Sequence, residues 1–335
     1  MITSNSSSIV VDSRWTTGDG IGRFSREILR RLPPCERLHS PLRPLNPLDC
    51  LYLSLELGWH DNRCLFSPGF NAPLFSRRPY VFTIHDLIHL ECPEEGSFSK
   101  ALYYHFVVKR AARRAYRVLT VSEYSKRKIV AWTGLPAERV VVVYNGVDRE
   151  FSPRGPAHQP GYDYLLYVGN QKPHKNIDRL LEASARVVSG TKTRLVMTGQ
   201  PSASTQAAIA RLGLEGLVIF SGPLSDEQLA AYYRGAKLLV LPSRLEGFGL
   251  PVVEAMACGT PVVCSNAGSL PEVAGGAAWL VDPLNVEDIA DGMARVLRDD
   301  ALSNSLRRRG QVRAPQFDWD AAAAAIWNVL QAAAA

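Results

Sequence analysis

Residues 243–263 read SRLEGFGLPVVEAMACGTPVV and place two glutamates, Glu246 and Glu254, eight positions apart around a glycine-rich turn. The preceding KLLVLPS (237–243) is a short apolar run that predicts a buried strand. Pro251 is typical of the first turn of a helix, where its missing N–H would have no partner in any case. The stretch therefore predicts a strand, a loop that carries Glu246 and a helix that carries Glu254.

This loop offers several kinds of group to a ligand. Gly247 and Gly249 let a ligand approach the backbone closely, and the free amides at the start of the following helix form an anion site. The two carboxylates can accept hydrogen bonds from hydroxyl groups. A nucleotide-sugar carries both a diphosphate and many hydroxyls, so it fits this set of groups. The alternative is a tight turn with two surface acids, one of which stabilises the helix dipole.

Length and composition narrow the class of protein. The chain has 335 residues, of which 46% are hydrophobic, and this length predicts two globular domains. No apolar run is long enough to span a membrane and the first residues lack the order of a signal peptide, so a cytoplasmic location is expected. The six cysteines show no paired spacing, which indicates neither a zinc site nor a disulfide framework. The net charge of +6 favours anionic partners such as phosphates, nucleic acid or acidic lipid headgroups.

Short apolar runs alternate with amphipathic segments along the chain, which predicts an α/β protein built of βαβ units with parallel sheets. In the first half, strands are expected at 8–13, 80–86, 117–123 and 139–146. Helices are expected there at 21–32, at 99–115 and directly after Ser122. A segment rich in proline and glycine at 149–163 is typical of a linker. In the second half, strands are expected at 164–169, 194–199, 217–222, 237–243, 261–266 and 277–283.

The stretch at 243–263, together with NAGSLPEVAGGAAWLVDP (266–283), resembles the glutamate–seven residues–glutamate signature of retaining family-4 glycosyltransferases. DSRWTTGDGIGRFSREILRRL (12–32) resembles the first glycine loop and helix of bacterial mannosyl- and rhamnosyltransferases that build polysaccharides such as O-antigen. The other signatures of the family have counterparts in the expected order, in FTIHDLIHL (82–90), VSEYSKRKI (121–129), NGVD (145–148) and YVGNQKPHKNIDRLLEA (167–183). The resemblance covers nearly the whole chain.

This resemblance implies the GT-B fold, in which two Rossmann-like parallel-sheet domains face each other across a cleft. It implies an acceptor-side domain at 1–155 and a nucleotide-sugar-binding domain at 156–316. A last helix at 317–335 would pack back towards the first domain and bury Trp319 or Trp327.

The resemblance also implies a role for individual residues. Glu254 would bind the ribose hydroxyls of the nucleotide, and Glu246 would contact the transferred sugar. Lys175 would neutralise the diphosphate leaving group, and His85 would form a hydrogen bond with the donor sugar. The sugar and phosphate would also be held by the backbone amides of Gly247, Phe248, Gly249 and Leu250. Without the resemblance, Lys175 is also compatible with a solvated surface lysine and His85 with a structural histidine.

One position departs from the family pattern. Members often have an arginine just after the glycine at the end of the first strand of the second domain, where this chain has Asn170. The departure removes one expected cation, and Lys172 or His174 is the candidate to replace it. Asn170 and Lys172 are therefore included among the expected donor-binding residues.

Two further short patterns allow more than one interpretation. GDGIG (18–22) follows a strand and precedes a helix, like a dinucleotide-binding fingerprint, but it lacks the wider glycine spacing. We interpret it as a loop whose amides at Gly20 and Gly22 face the diphosphate and the acceptor. DWD (318–320) looks like a metal-binding pair of acids, but at the start of an alanine-rich helix a capping role is favoured. No metal site is expected.

The segment 99–118 combines aromatic with basic side chains, namely Tyr103, Tyr104, Phe106, Lys109, Arg110, Arg113 and Arg114. One interpretation is a basic amphipathic surface that meets a membrane holding a lipid-linked acceptor. The other is an ordinary solvated helix face. A nucleic-acid partner is not expected, because no recognised binding motif is present.

The sequence thus leads to the hypothesis of a retaining, metal-independent hexosyltransferase. It would move mannose, or a related deoxyhexose such as rhamnose, from a nucleotide diphosphate donor to a hydroxyl of a saccharide or lipid-linked saccharide in cell-surface polysaccharide synthesis. A GDP-sugar is the favoured donor, and no cofactor is expected. The expected location is cytoplasmic, with peripheral contact at the inner face of the membrane. The alternatives are a noncatalytic nucleotide- or anion-binding module that tethers partners, and a nucleotide-sugar epimerase of similar architecture.

Overall fold

The computed structural model describes residues 8–16, 18, 20–44, 46, 48–59 and 63–335. The chain forms two compact units. Unit 1 comprises the residues up to Gly146 together with Asp318–Ala335, and unit 2 comprises Val147–Phe317. The division falls after Gly146, whereas the sequence suggested a boundary at 155, so the proline-rich segment at 149–163 lies within unit 2.

Unit 1 contains a six-stranded parallel sheet with the strand order β2-β1-β3-β4-β5-β6. Its strands are β1 (Ile9–Val11), β2 (Glu36–Arg37), β3 (Cys64–Ser67), β4 (Tyr80–Thr83), β5 (Arg117–Thr120) and β6 (Val140–Val142). The four predicted strands are present, and β2 and β3 are additional. β2 consists of two exposed charged residues, so no apolar run marks it. β3 contains the apolar residues Cys64, Leu65 and Phe66, which the sequence analysis did not assign to a strand.

Helices connect the strands of unit 1, except that a loop joins β3 to β4. They are α1 (Gly20–Leu29), α2 (Asp49–Trp59), α3 (Ile88–Glu91), α4 (Phe98–Tyr103), α5 (Lys109–Arg114) and α6 (Glu123–Thr133). A π-helical turn, Tyr104–Val108, joins α4 directly to α5, and a 3₁₀ turn, Ala137–Arg139, precedes β6. The predicted cap of α6 is confirmed, because the Ser122 hydroxyl accepts a hydrogen bond from the Ser125 amide at 3.1 Å.

The predicted surface of the helix at 99–115 needs one correction. Tyr104 is only 5% exposed, and Tyr103 is half-buried and donates a hydrogen bond to the side chain of Asn71 at 3.0 Å. Both rings therefore face the unit, because aromatic area gains more from burial than from exposure. The aromatic and aliphatic residues that do face solvent are Phe98, Leu102 and Phe106.

Unit 2 contains a second six-stranded parallel sheet, with the order β12-β11-β10-β7-β8-β9. All six of its strands were predicted: β7 (Tyr164–Tyr167), β8 (Arg194–Met197), β9 (Val218–Phe220), β10 (Leu238–Leu241), β11 (Val262–Ser265) and β12 (Trp279–Val281). Its helices are α7 (Ile177–Val188), α8 (Ala203–Arg211), α9 (Asp226–Gly235), α10 (Leu250–Ala257), α11 (Leu270–Ala274), α12 (Val286–Arg298) and α13 (Asp300–Arg313). Two 3₁₀ turns occur, at Pro173–Lys175 and Ala314–Gln316.

The chain ends in α14 (Trp319–Ala334), which belongs to unit 1 and packs against α1, β3 and β4. Trp319 is 1% exposed and packs closely against Gly146. A Cβ at that glycine would overlap the backbone nitrogen of Trp319, so no larger residue fits there. The capping role predicted for the DWD sequence is confirmed, because the Asp318 carboxylate accepts a hydrogen bond from the Asp320 amide at 3.0 Å. Within the described part of the chain, no helix is both long and apolar enough to cross a membrane.

Candidate functional site

The sheet of unit 2 has a topological switch point between β7 and β10. The chain winds from β7 outward to β9, returns to the other side of β7 as β10, and then winds outward to β12. In open parallel sheets, ligands bind beside the carboxyl ends of the two strands that flank such a point. The segments that leave β7 and β10 therefore define the place to search for a site, and these segments carry the predicted residues Lys175 and Glu246.

Asn176 fixes the segment that follows β7. It has a left-handed backbone (φ 63°), which is uncommon for a residue other than glycine. Its side-chain amide donates hydrogen bonds to the carbonyl of Pro242 at 2.9 Å and to the carbonyl of Pro283 at 2.6 Å. These bonds hold the 3₁₀ turn that carries Lys175 against the chain leaving β10.

Lys175 and Glu246 form an ion pair with an Nζ–Oε1 distance of 2.7 Å. Their side chains are 12% and 9% exposed, so the pair is shielded from bulk solvent without being sealed off. A backbone hydrogen bond also connects the segments that follow β7 and β10, because the Arg244 amide donates to the His174 carbonyl at 2.7 Å. Lys175 has three N–H donors and uses one of them on Glu246, and no hydrogen bond from the described residues occupies the other two.

The loop after Glu246 leads into the start of α10. Gly249 precedes this helix with a left-handed backbone (φ 102°), and a Cβ there would lie 2.5 Å from the side chain of Leu270. Glycine is therefore required for both conformation and space. Phe248 is 4% exposed and its ring contacts Phe317 edge-on, at 5.4 Å between ring centroids. Leu250 begins the helix, so the amides of its first turn lie where the sequence predicts an anion site.

Ser269 anchors the same loop from the side. Its hydroxyl lies 3.0 Å from the Glu246 carbonyl and 2.9 Å from the Phe248 carbonyl, and its amide donates to the Glu246 carbonyl at 3.3 Å. The preceding Gly268 also approaches closely, since a Cβ there would be 2.9 Å from the Glu246 nitrogen. The backbone conformation of Glu246 is thus set by residues more than twenty positions away.

Glu254 lies one turn inside α10 and is 3% exposed. Its carboxylate accepts a hydrogen bond from the Tyr233 hydroxyl at 2.8 Å. Tyr167, the last residue of β7, lies near Glu246. Burial and the negative charge of Glu246 raise the pKa of its phenol, which therefore stays protonated at neutral pH. The predicted assignment of Glu246 to a loop and Glu254 to a helix is correct.

Asn170 and Lys172 lie at the rim of this site. Both side chains are exposed. The Asn170 carboxamide oxygen accepts a hydrogen bond from the Lys172 amide at 3.2 Å, and its backbone carbonyl accepts one from the Tyr167 hydroxyl at 2.6 Å. His174, the other residue considered as a replacement cation, is 5% exposed and sits in the buried part of the turn. Lys172 is therefore the more accessible of the two.

The remaining predicted residues lie in unit 1. Gly20 is the first residue of α1 and is exposed, while Gly22, two residues later, is buried. His85 follows β4, and its Nε2 lies 2.9 Å from the Pro68 carbonyl. The His85 ring also contacts Phe24 of α1 edge-on, at 4.9 Å between ring centroids. One helix of unit 1 thus carries both glycines and supports the histidine.

The sequence did not reveal the polar cluster at the switch point of unit 1, which lies between β1 and β3. Arg14 binds the buried carboxylates of Asp12 and Asp49 through four hydrogen bonds of 2.6–3.0 Å, and Leu42 accepts a fifth at 2.7 Å. Asn71 donates to Asp49 at 2.9 Å. All five N–H donors of Arg14 are therefore used within the protein.

Comparison with known proteins agrees with this arrangement. The model "Glycosyl transferases group 1" matches residues 148–313, and the model "Glycosyltransferase Family 4" matches residues 19–151. The chain is 34% identical to the O-antigen chain mannosyltransferase B of Escherichia coli, over 76% of this chain and 70% of that protein. It is 36% identical to the MMP alpha-(1->4)-mannosyltransferase of Mycolicibacterium hassiacum, over 79% of this chain and 68% of that protein.

The fold has close counterparts among solved structures. A structure of HepE from Anabaena in complex with UDP and glucose superposes with a TM-score of 0.77 at 23% identity, covering 97% of this chain and 99% of that one. The two parallel sheets are of the Rossmann-like type that GT-B glycosyltransferases contain. The chain therefore belongs to glycosyltransferase family 4, and it is a glycosyltransferase.

Proposed function

We propose that this glycosyltransferase is a retaining mannosyltransferase. The favoured donor is GDP-mannose, and the second candidate is a GDP- or dTDP-linked deoxyhexose such as rhamnose. The acceptor is a hydroxyl of a saccharide or lipid-linked saccharide in cell-surface polysaccharide synthesis. The names of the two relatives support mannose as the sugar, and the first also supports O-antigen as the product class.

The observation that carries the proposal is the Lys175–Glu246 pair at 2.7 Å beside the amino end of α10. Breaking the bond between a sugar and a diphosphate leaves negative charge on the departing oxygen. Positive charge and backbone amides that are already in place stabilise that charge without reorganisation. Lys175 has two N–H donors to offer, and α10 offers the amides of its first turn. These groups support a metal-independent reaction.

The carboxylates then bind the two ends of the donor. Glu246 accepts hydrogen bonds from hydroxyls of the transferred sugar, while Glu254 accepts them from the ribose. Further contacts to sugar and phosphate come from Asn170, Lys172 and the amides of Gly247, Phe248, Gly249 and Leu250. In unit 1, Gly20 and Gly22 at the start of α1 present amides to the diphosphate and acceptor, and His85 forms a hydrogen bond with the donor sugar.

The configuration of the anomeric carbon is retained because the acceptor hydroxyl attacks from the same face that the diphosphate leaves. The bond between the acceptor oxygen and the anomeric carbon forms as the bond from that carbon to the diphosphate oxygen breaks. The departing phosphate takes the proton of the acceptor hydroxyl. Lys175 stabilises this phosphate throughout, so no nucleophilic carboxylate is needed.

A thermal-shift screen of GDP, UDP, ADP, dTDP and their sugars identifies the donor, because a ligand that binds only the folded state raises the melting temperature. GDP and GDP-mannose should give the largest shifts. Incubation of GDP-α-mannose with mannobiose should then yield an α-linked product, which NMR of the anomeric proton detects. A β-linked product would exclude retention.

The same assay separates the alternatives. A tethering module would bind a nucleotide and give no transfer with any acceptor and no slow hydrolysis of the donor. An epimerase would convert its donor with no acceptor present. A preference for UDP over GDP would leave a family-4 transferase with a different donor and would overturn the assignment to GDP-mannose.

A further inference from the structure

The large apolar side chains exposed on unit 1 are concentrated in one region. Among the described residues of this unit, eight such side chains are exposed, and seven of them lie on or beside α2, α4 and α5. They are Leu48, Leu51, Leu55, Phe75, Phe98, Leu102 and Phe106, while Tyr144 is the eighth. Large apolar groups that cluster at a surface mark a site of interaction.

A single stripe runs along the continuous helix formed by α4, the π-helical turn and α5. Phe98, Leu102 and Phe106 are 85%, 46% and 60% exposed, and Arg110 and Arg114 continue the stripe at the same four-residue spacing. A four-residue repeat drifts around an ordinary α-helix, which has 3.6 residues per turn. The wider π-helical turn, closed by a bond from the Lys109 amide to the Tyr104 carbonyl, offsets this drift.

The loop at 71–75 lies between this helix and α2 and forms hydrogen bonds with both. Asn71 accepts a hydrogen bond from Tyr103 of α4, and the Phe75 amide donates one to the Ser54 hydroxyl of α2 at 3.2 Å. At the other end, Arg114 of α5 donates to the Leu74 carbonyl at 3.2 Å. Leu48, the exposed leucines of α2, Phe75 and the helical stripe therefore lie on adjoining segments, and we call the surface that they form the apolar–basic surface.

The helix that carries the stripe has charge of one sign, whereas Glu94 and Glu95 precede it and Glu56 follows Leu55 on α2. Residues 96–122 contain six lysines and arginines and no aspartate or glutamate. Residues 63–85 contain no acid and add Arg77 and Arg78, while Arg63 in this stretch pairs with Glu36. Protein partners present both signs of charge, whereas a bilayer of anionic lipid presents only negative charge. Each cation near such a bilayer strengthens binding about fivefold.

We propose that the apolar–basic surface binds the anionic phospholipid surface of a membrane. Phe98, Leu102 and Phe106 enter the headgroup region, and Arg110 and Arg114 pair with lipid phosphates. Membrane binding needs neither the sugar donor nor the acceptor, so it can be tested independently of the proposed mannosyl transfer. It would hold the enzyme at the membrane that contains a lipid-linked acceptor.

Sedimentation with vesicles tests the proposal. The full chain is mixed with vesicles of phosphatidylcholine, or of phosphatidylcholine with phosphatidylglycerol, and the pelleted fraction is measured. The wild-type protein should bind the anionic vesicles, and less tightly as salt is raised. Leu102→Ser with Phe106→Ser should weaken binding by tenfold or more, an order-of-magnitude expectation from lost apolar burial. Arg110→Gln with Arg114→Gln should weaken it by roughly twentyfold.

Matched variants in unit 2 serve as controls. Leu284→Ser removes an exposed apolar side chain (61% exposed), and Arg298→Gln with Arg308→Gln removes two exposed cations. These variants should bind like the wild type, and all variants should keep its melting temperature. Failure of the wild type to bind anionic vesicles would overturn the proposal, as would equal losses in the control variants. A change of oligomeric state in the Phe106 variant by light scattering, with vesicle binding intact, would assign the surface to a second copy instead.

Discussion

The two sheets of this protein use charge differently at equivalent places. Each has a switch point with a cation in the segment that leaves the first strand, Arg14 after β1 and Lys175 after β7. Arg14 gives all five N–H donors to the protein, and its two carboxylate partners are fully buried. Lys175 has one carboxylate partner and retains donor capacity.

This difference distinguishes an ion cluster that supports the structure from one that is suited to bind a ligand. A cation whose donors are all occupied can fix loops, as Arg14 fixes the chain around Asp49 and Leu42. A cation that is oriented by one partner can still accept a ligand anion without breaking that pair. Equivalent topology thus locates two candidate sites, and their hydrogen bonds indicate which of them suits the diphosphate site that we propose.

The largest expected effect is on stability and comes from unit 1. Arg14→Met leaves Asp12 and Asp49 buried without their cation, and removing one partner of a buried ionic cluster costs about 3–5 kcal/mol. Urea unfolding of the full chain measures this loss. The exposed Arg43, replaced by Met, should change stability by less than about 0.5 kcal/mol. Equal losses for the two variants would refute a structural role for Arg14.

The next effect is on catalysis and comes from unit 2. Lys175→Met should lower kcat about 10²–10³-fold, the usual loss when one preorganised donor to a developing oxyanion is removed. Its stability should fall less than that of Arg14→Met, because one carboxylate loses one partner. Lys192→Met, which removes an exposed cation between α7 and β8 that no part of the proposed site includes, is the control and should stay within about threefold of wild type. Normal turnover by Lys175→Met would remove this residue from the reaction.

A smaller effect is expected for the buried acid of α10. Glu254→Gln keeps an oxygen to accept the Tyr233 hydroxyl, so the fold should be preserved. The neutral side chain binds ribose hydroxyls less strongly than a carboxylate, and the donor KM should rise about tenfold. Steady-state kinetics at varied donor concentration provides the measurement, with the exposed Glu215→Gln as the control. An unchanged KM would exclude the ribose role.

The smallest effect concerns the anchor of the loop. Ser269→Ala leaves the Phe248 carbonyl without its hydroxyl donor, which should lower the free energy of unfolding by about 1 kcal/mol. The looser backbone at Glu246 should raise the donor KM a few-fold with little change in kcat. A drop in kcat as large as that of Lys175→Met would show that Ser269 acts in the chemical step and not as an anchor.

The sequence predicted those features that depend on local pattern. The strands of unit 2 are short runs of apolar residues, most of them buried on both faces, and Pro251 marks the start of α10, so Glu246 and Glu254 could be assigned to loop and helix. Strand β2 was not predicted because its two charged residues show no apolar pattern, and β3 was missed although its apolar run is as long as those of predicted strands.

Long-range contacts were not predictable in the same way. Asn176 matters because its amide reaches two carbonyls, one of them 107 positions away. Ser269 and Arg14 likewise act through partners that only the fold brings near. Asn176 lies within a quoted family signature, yet nothing in its local context indicates a left-handed residue that locks Lys175. Of the aromatic residues at 99–118 that were considered for a membrane surface, Tyr103 is half-buried, Tyr104 is buried and only Phe106 is exposed, which their spacing in the sequence did not indicate.

The central claim is that the switch point of unit 2 binds a nucleoside diphosphate through Lys175. Calorimetric titration of the full chain with GDP, and with guanosine as the ligand that lacks phosphate, tests it directly. The account predicts that Lys175→Met weakens GDP binding about tenfold or more and leaves guanosine binding as it is in the wild type. Equal affinity of the wild type and the variant for GDP would contradict it.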